Sequence, residues 1–219
     1  MNSKSFIKNI FIILCITMFA SSVDASAVPE KEATQWVNAK GQKLISTLSS
    51  SDIEEKYKIL DSMFHEDIDT EYMARFVIGK YWKLMDEDQK TQYIDLFKRY
   101  AISLYKNYPL NIDTEGLDFS VLSVKQNQKL TDVACSVTLP KKYATEKIQD
   151  VSVKFKLTQE NKKIKIVDLI LGQSSLLQTY RSRFYKMIED LDNEISWFLE
   201  DFTDMVISSE KTAQEKADY

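Results

Sequence analysis

The stretch KIKIVDLILGQSSLLQTYRSRF, residues 163–184, reads as a strand, a glycine break and a helix that begins at once. Ile164, Ile166, Val167, Leu169 and Leu171 are the apolar positions of the strand. The inward set shifts between Ile166 and Val167, which predicts either a bulge or a strand apolar on both faces. Gly172 frees the backbone at the exit. Ser175 and Gln178 fit the S-x-x-Q capping box of a helix N-terminus. Leu176, Tyr180 and Phe184 recur every fourth residue and share one helix face. Such a corner folds a helix back over a sheet, and what the two enclose is the functional question.

Upstream of this corner the chain alternates with period two. Leu117, Phe119 and Val121 begin one strand, and Gln126 to Lys129 turn the chain. Val133, Cys135, Val137 and Leu139 alternate with Ala134, Ser136 and Thr138, and Pro140-Lys141-Lys142 ends that strand. Val151, Val153, Phe155 and Leu157 alternate with Ser152, Lys154 and Lys156. Glu160-Asn161-Lys162 makes the turn into the opening stretch. Four consecutive strands joined by short turns predict an antiparallel meander with one apolar face.

Before Pro109 the period is that of helices. Trp36, Val37, Leu44, Ile45 and Leu48 stripe a helix from Ala33 to Leu48. Ser51 and Glu54 suggest a capping box for the next, which carries Ile53, Tyr57, Leu60 and Phe64. The segment 64–69 punctuates the chain before a short helix with Met73, Phe76 and Val77 inward. The strongest helix runs from Asp86 to Tyr108, with Asp86 and Gln89 as a capping box. Its stripe is Tyr93, Leu96, Phe97, Tyr100, Ala101, Leu104, Tyr105 and Tyr108, and Pro109 stops it. This aromatic stripe serves core packing or a pocket wall. Two last helices, 175–189 and 193–208, follow the sheet, the second with Ile195, Phe198, Leu199 and Phe202 on one face. The order of helices, sheet and helices predicts an α+β fold: a four-stranded antiparallel sheet packed on one face by several helices, with an apolar pocket between them.

The chain has 219 residues and a net charge of −4 with both signs mixed. No basic stripe marks a nucleic-acid surface. Lys4 and Lys8 precede the apolar run Ile10 to Ala20, and Ala25-Ser26-Ala27 fits a small-residue cleavage pattern. Residues 1–27 therefore read as a cleaved signal peptide, 28–208 as one domain and 209–219 as a polar tail that frays. No second apolar run reaches membrane-spanning length, so no stable membrane insertion is expected. Cys135 is the one cysteine left after cleavage, and its alternating context fits a buried structural thiol.

Catalytic patterns are missing. Gly172-Gln173-Ser174 begins like a G-x-S-x-G elbow, but Leu176 stands where the second glycine belongs. A Ser-His-acid triad would have to use the single histidine, His65, which reads as part of a helix-linking loop. One histidine, one cysteine and dispersed carboxylates make no zinc pattern, and Asp67-Ile68-Asp69 lacks the rest of a calcium loop. No glycine-rich phosphate loop or dinucleotide fingerprint occurs. The expectation is a protein without catalytic residues, metal or cofactor.

These residues resemble the MlaC / toluene-tolerance family of periplasmic phospholipid-binding proteins. The resemblance is carried by ordered blocks. Phe64 to Asp69, Met73-Ala74-Arg75 and Gly79-Lys80-Tyr81-Trp82 make the first, and Gln89 with Tyr93 to Tyr105 resembles the family's long helix. Ile164-Lys165-Ile166-Val167-Asp168 stands where the family has W-K-I-x-D. Gly172-Gln173-Ser174 and Tyr180-Arg181-Ser182-Arg183-Phe184 are similar to its last signatures. Two departures stand out: Ile164 replaces the tryptophan, and the glycine usual after the last signature is replaced around Asp190 to Asp192.

The resemblance implies a periplasmic carrier that shuttles phospholipid between the membranes of a Gram-negative envelope and maintains outer-membrane lipid asymmetry. The partners it implies are phospholipid, the MCE-domain protein of an inner-membrane ABC transporter and an outer-membrane lipoprotein complex. Hopanoid or another apolar lipid is an alternative cargo, and an envelope interaction module without lipid is an alternative role. On the carrier reading, the lipid would lie against Val133, Cys135, Val137, Val153, Phe155, Leu157 and Leu169 of the sheet. Phe97, Tyr100, Leu104, Tyr180 and Phe184 would close over it from the helices. Arg181 is expected either to pair with Asp168 or to lie near a head group.

Overall fold

The computed structural model describes residues 25–107, 110, 112–146 and 148–217. Most of the signal-peptide reading, residues 1–24, and the helix stop at Tyr108-Pro109 lie outside the described residues. Among those described, six α-helices flank a five-stranded antiparallel sheet, an α+β fold. Helix α1 spans Glu30–Ser49, α2 Ile53–Asp67 and α3 Thr70–Ile78; a 3₁₀ turn, Gly79–Leu84, leads to α4, Glu87–Lys106. Strands β1 Asp118–Gln126, β2 Thr131–Thr138, β3 Asp150–Glu160, β4 Lys163–Leu171 and β5 Ser174–Ser175 follow in spatial order. Helices α5, Leu176–Asp190, and α6, Ile195–Ala217, complete the chain. The expected four strands become five because the corner itself pairs: Ser174 lies opposite Leu171 and Ser175 opposite Ile170.

Local chemistry sets most boundaries. Asp86 and Gln89 form the reciprocal capping box at α4. At α2 the cap falls one residue later than the Ser51–Glu54 pattern suggests. Asp52 accepts from Glu55 N at 2.9 Å, and a carboxylate beside the helix N-terminus also meets a favourable dipole. Helix α2 continues through His65, so that residue belongs to a last helical turn and not to a loop. Asn161 and Lys162 both take positive φ between paired Glu160 and Lys163, the conformation of a two-residue hairpin turn.

The predicted irregularity in the last strand is a bulge. Lys156 pairs with Asp168 and Leu157 with Ile166, leaving Val167 as the extra residue. A second bulge leaves Leu122 unpaired in β1, where its side chain is exposed.

The tail expected from 209 onward is helical through Ala217. Helix α6 runs beside α4 in the same direction, Tyr93 facing Phe198 and Ser103 facing Ser209. Arg99 holds Glu210 through two bonds, at 2.9 and 2.7 Å, and Ala213 is buried. These contacts fix the turns that composition alone assigns to solvent.

Two apolar bodies make the interior. In the first, α3, α4, α5 and α6 surround an aromatic cluster of Tyr93, Phe97, Phe184, Phe198 and Phe202. In the second, Val28, Ala33 and Val37 press on Val133, Cys135, Leu157 and Ile164 of the sheet. Helix α1 lies over β1 and β2 so closely that a Cβ at Gly41 would fall 2.4 Å from the Phe119 ring. Ile166 packs against both bodies.

Candidate functional site

The corner that opens the sequence reading is held by Asp168. This carboxylate is buried; its Oδ2 accepts from Ser175 Oγ at 2.7 Å. Its Oδ1 accepts from Leu169 N at 2.9 Å and from Leu177 N at 3.3 Å. Ser175 Oγ in turn accepts from Gln178 N at 3.1 Å. The forward half of the expected capping box is thus present. Ser175 is still paired in the sheet, and Asp168 supplies the second acceptor at the helix start. A buried anion at the N-terminus of α5 is favoured by the free amides and the helix dipole. Gly172 leaves the strand at a φ of 61° with open space around it, so its conformation rather than any contact requires glycine.

Arg181 does not pair with Asp168, whose oxygens are already occupied. One turn further along α5, its Nε donates to the Phe76 carbonyl at 2.9 Å, and Nη2 reaches the same oxygen. The guanidinium lies 3.8 Å from the centre of the Phe76 ring. Phe76 belongs to the last turn of α3, where carbonyls lack helical partners and a cation is favoured. Beside it, Gly79 has a φ of 49°, and a Cβ there would stand 2.2 Å from Tyr185 Oη. Tyr185 Oη accepts from Lys80 N at 2.9 Å. Arg181 and Tyr185 therefore clamp the end of α3 to α5. At the far end of α5, Asp192 and Asn193 adopt left-handed backbone where the family glycine was missed, and Asn193 Oδ1 accepts from Tyr81 Oη at 3.0 Å.

The twelve residues expected around a lipid fall into three groups. Phe97, Tyr100, Leu104, Tyr180 and Phe184 belong to the helical body. Phe184 is fully buried, its ring 4.9 Å from Phe202, and Tyr180 meets Tyr100 edge-on at 5.9 Å. Val133, Cys135, Phe155 and Leu157 belong to the body beneath α1. Val137, Val153 and Leu169 belong to neither. Register sets these three with Val151 and Leu171 on the sheet's apolar face: Val137 faces Val151, Val153 faces Leu171 and Phe155 faces Leu169. Val137, Val151 and Leu169 are half-buried, and Leu171 is 48% exposed.

The apolar face therefore has a closed end and an open end. At the closed end Val133 and Leu157 are 0% exposed and Ile164 is 8% exposed. The open end lies where β4 turns into α5. Val151 and Leu171 continue the same alternation beyond the twelve; what no pattern carries is that Val28 and the first turns of α1 seal one end.

Two clefts lie elsewhere. One of about 430 Å³ is lined by Tyr57, Arg99, Ile102, Lys106, Glu210 and Gln214, among others, between α2, α4 and α6. Arg99 holds the Glu210 carboxyl below its usual range. Lys106 pairs with Asp61 at 3.1 Å, and Tyr105 donates to the same carboxylate; burial, then Asp61, push the Tyr105 phenol up. The other, about 260 Å³, lies by Asp69, Thr70, Glu160 and Lys163. Neither includes any of the twelve. Lys56 is buried, donating to the Leu110 carbonyl at 2.8 Å. Asp67 is buried too, with one oxygen 2.7 Å from Lys40 and the other without a hydrogen-bond partner. Among the described residues no cluster of histidine, cysteine, aspartate or glutamate has a metal-binding arrangement. Burial raises the Cys135 thiol to about 11, so it stays neutral.

Helices packed over the apolar face of an antiparallel meander define an α+β fold. The chain belongs to the MlaC protein family, whose model matches residues 39–196. A comparison with curated proteins finds no match. Among solved structures, the fold is similar to a phospholipid-binding protein from Ralstonia solanacearum in complex with a phospholipid. That likeness has a TM-score of 0.64 at 13% identity, and covers 83% of this chain and 99% of that one.

Proposed function

We propose that this protein is a periplasmic carrier that takes the acyl chains of a phospholipid against the open end of its sheet. The observation that carries the reading is the half-buried strip Val137, Val151, Leu169 and Leu171, left outside both apolar bodies. A filled core would bury such residues; a face kept for a mobile ligand leaves them partly open. Family membership and the phospholipid held by the Ralstonia protein support the choice of ligand. In this reading Val137, Val153 and Leu169 touch lipid, and Tyr100, Leu104 and Tyr180 form the helical rim. Phe97, Phe184, Val133, Cys135, Phe155 and Leu157 back the two walls.

The energetics suit a shuttle. Two acyl chains carry roughly 30 CH₂ groups at about 0.8 kcal/mol each, a gross term of roughly 24 kcal/mol. That exceeds the ceiling of non-covalent affinity, yet a bilayer supplies nearly the same term. The carrier has only to match the membrane, so exchange with its partners is close to isoenergetic and needs no catalytic residue. Those partners are an outer-membrane lipoprotein complex and the MCE-domain protein of an inner-membrane ABC transporter. Export follows an N-terminal signal peptide, and no helix among the described residues is long and apolar enough to cross a membrane.

Native mass spectrometry of protein purified from the periplasm, with organic extraction of the same sample, tests the reading. A bound phospholipid is expected at about one per chain. Protein that is lipid-free and takes no lipid from liposomes would instead favour an envelope module with a filled core; an extracted hopanoid would keep the carrier and change the cargo.

A further inference from the structure

We infer that the exported protein begins at Ser26, two residues earlier than the Ala25-Ser26-Ala27 pattern suggests. This rests on the export reading above. Both bonds satisfy the local rule, since Val23 and Ala25 have the same spacing before Ser26 as Ala25 and Ala27 have before Val28. The fold tells them apart.

Ser26 is part of the structure. Its N–H donates to Gln159 O at 3.0 Å, and Gln159 N donates to Ser26 O at 2.8 Å, an antiparallel bridge onto β3. Thr158 Oγ1 also donates to Ser26 O, at 3.3 Å. Two residues on, Val28 is 0% exposed within the body under α1, and its carbonyl accepts from Thr131 Oγ1 at 2.6 Å. Cleavage after Ala27 removes the bridge and puts the new ammonium on Val28, whose side chain packs in the body under α1. A charge brought against apolar packing loses hydration. Cleavage after Ala25 instead creates the ammonium on exposed Ser26, where its bond to Gln159 O becomes charge-assisted. The Gln159 side chain donates to Glu32 Oε1 at 3.1 Å, so a carboxylate belongs to the same neighbourhood.

The chemistry is amide hydrolysis by a membrane-bound signal peptidase. The Ala25–Ser26 C–N bond breaks, water supplies hydroxide to the Ala25 carbonyl carbon, and its proton goes to the leaving Ser26 nitrogen.

Intact-mass and N-terminal peptide analysis of the periplasmic protein decides the matter. A chain beginning at Ser26 is expected, and one beginning at Val28 overturns the inference. A chain retaining residues 1–25 overturns the export reading itself and the inference with it. The variant Ala27→Leu blocks the later bond but not the earlier, so unchanged processing is expected and accumulation of precursor refutes it. Two chains released from a fusion with native ends, one from Ser26 and one from Val28, give a physical readout. The Gln159 amide should exchange at least tenfold faster in the shorter chain. Equal exchange in both removes the structural basis of the inference.

Discussion

The closed and open ends of the sheet are written in the same sequence grammar. Val133 and Leu157 alternate with polar or small residues just as Val137 and Val151 do. Yet the first pair is fully buried and the second is half-buried. The difference lies in what covers each end. Val28 with Ala33 and Val37 of α1 seals one, while the other is left where β4 turns through Gly172 into α5. Alternation reports which face of a strand is apolar, whereas burial depends on elements remote in sequence. The same residue type can therefore hold the fold together at one end and remain available to a ligand at the other.

Substitutions that test this contrast differ in size. The largest effect is expected in the filled body. Phe184→Ala removes a ring packed against Phe97, Phe198 and Phe202, and should cost about 3–5 kcal/mol in urea unfolding. A loss below ~1 kcal/mol would mean that this body, too, is loosely packed.

Asp168→Ala comes next. It leaves the Ser175 hydroxyl and the amide of Leu177 without their acceptor at the start of α5. The expected cost is about 2–3 kcal/mol, because hydrogen bonds to a buried charge are lost and donors are stranded. Asp168→Asn should recover part of it, keeping an acceptor but losing the charge–dipole contribution.

Leu169→Ala at the open end should cost only about 1 kcal/mol, well below the range for a buried leucine. Its main effect should be on bound lipid, seen as a smaller lipid-bearing fraction in native mass spectra. A large stability loss with unchanged lipid would break the contrast, making the open end ordinary core.

Much of this was legible in the chain. The helix stripes, the meander, the shift of the inward set near Val167 and the corner at Gly172 all follow from periodicity and turn chemistry. Other features depend on contacts between distant segments. Nothing local in Arg181 says that it reaches the Phe76 carbonyl rather than Asp168, because that requires knowing where α3 ends beside α5. Polar residues after Ser209 read as a tail because the Arg99–Glu210 pair spans separate helices. The twelve expected lining residues were chosen by face, which sequence reports. Their division between two filled bodies and one open strip depends on the placement of α1, which it does not.

Glu210→Gln serves as a control distant from both ends. Arg99 lowers the Glu210 carboxyl, so the pair adds stability above the unfolded carboxylate pKa of about 4.3 and loses it as pH falls through the lower folded value. Both side chains are about two-fifths exposed, so less than ~1 kcal/mol is at stake at neutral pH. The gap between variant and parent should close in acid, with lipid content unchanged.

Cys135 reports on the boundary itself, with no substitution and no change in stability at neutral pH. It lies between Val121 and Val153, one alternation step from closed Val133 and one from open Val137. Burial raises its pKa to about 11, so at pH 8 the folded protein presents a neutral thiol to an alkylating reagent. The unfolded chain, with a thiol pKa near 8.5, is substantially ionised. Folding therefore protects the thiol twice, by exclusion and by protonation, and alkylation should proceed only through opening of the sheet. If stripping the lipid exposes Cys135 without unfolding, the rate will rise while the urea midpoint stays put. That would extend the open end one alternation step further along β2, from Val137 to Cys135. An unchanged rate would fix the boundary between Cys135 and Val137.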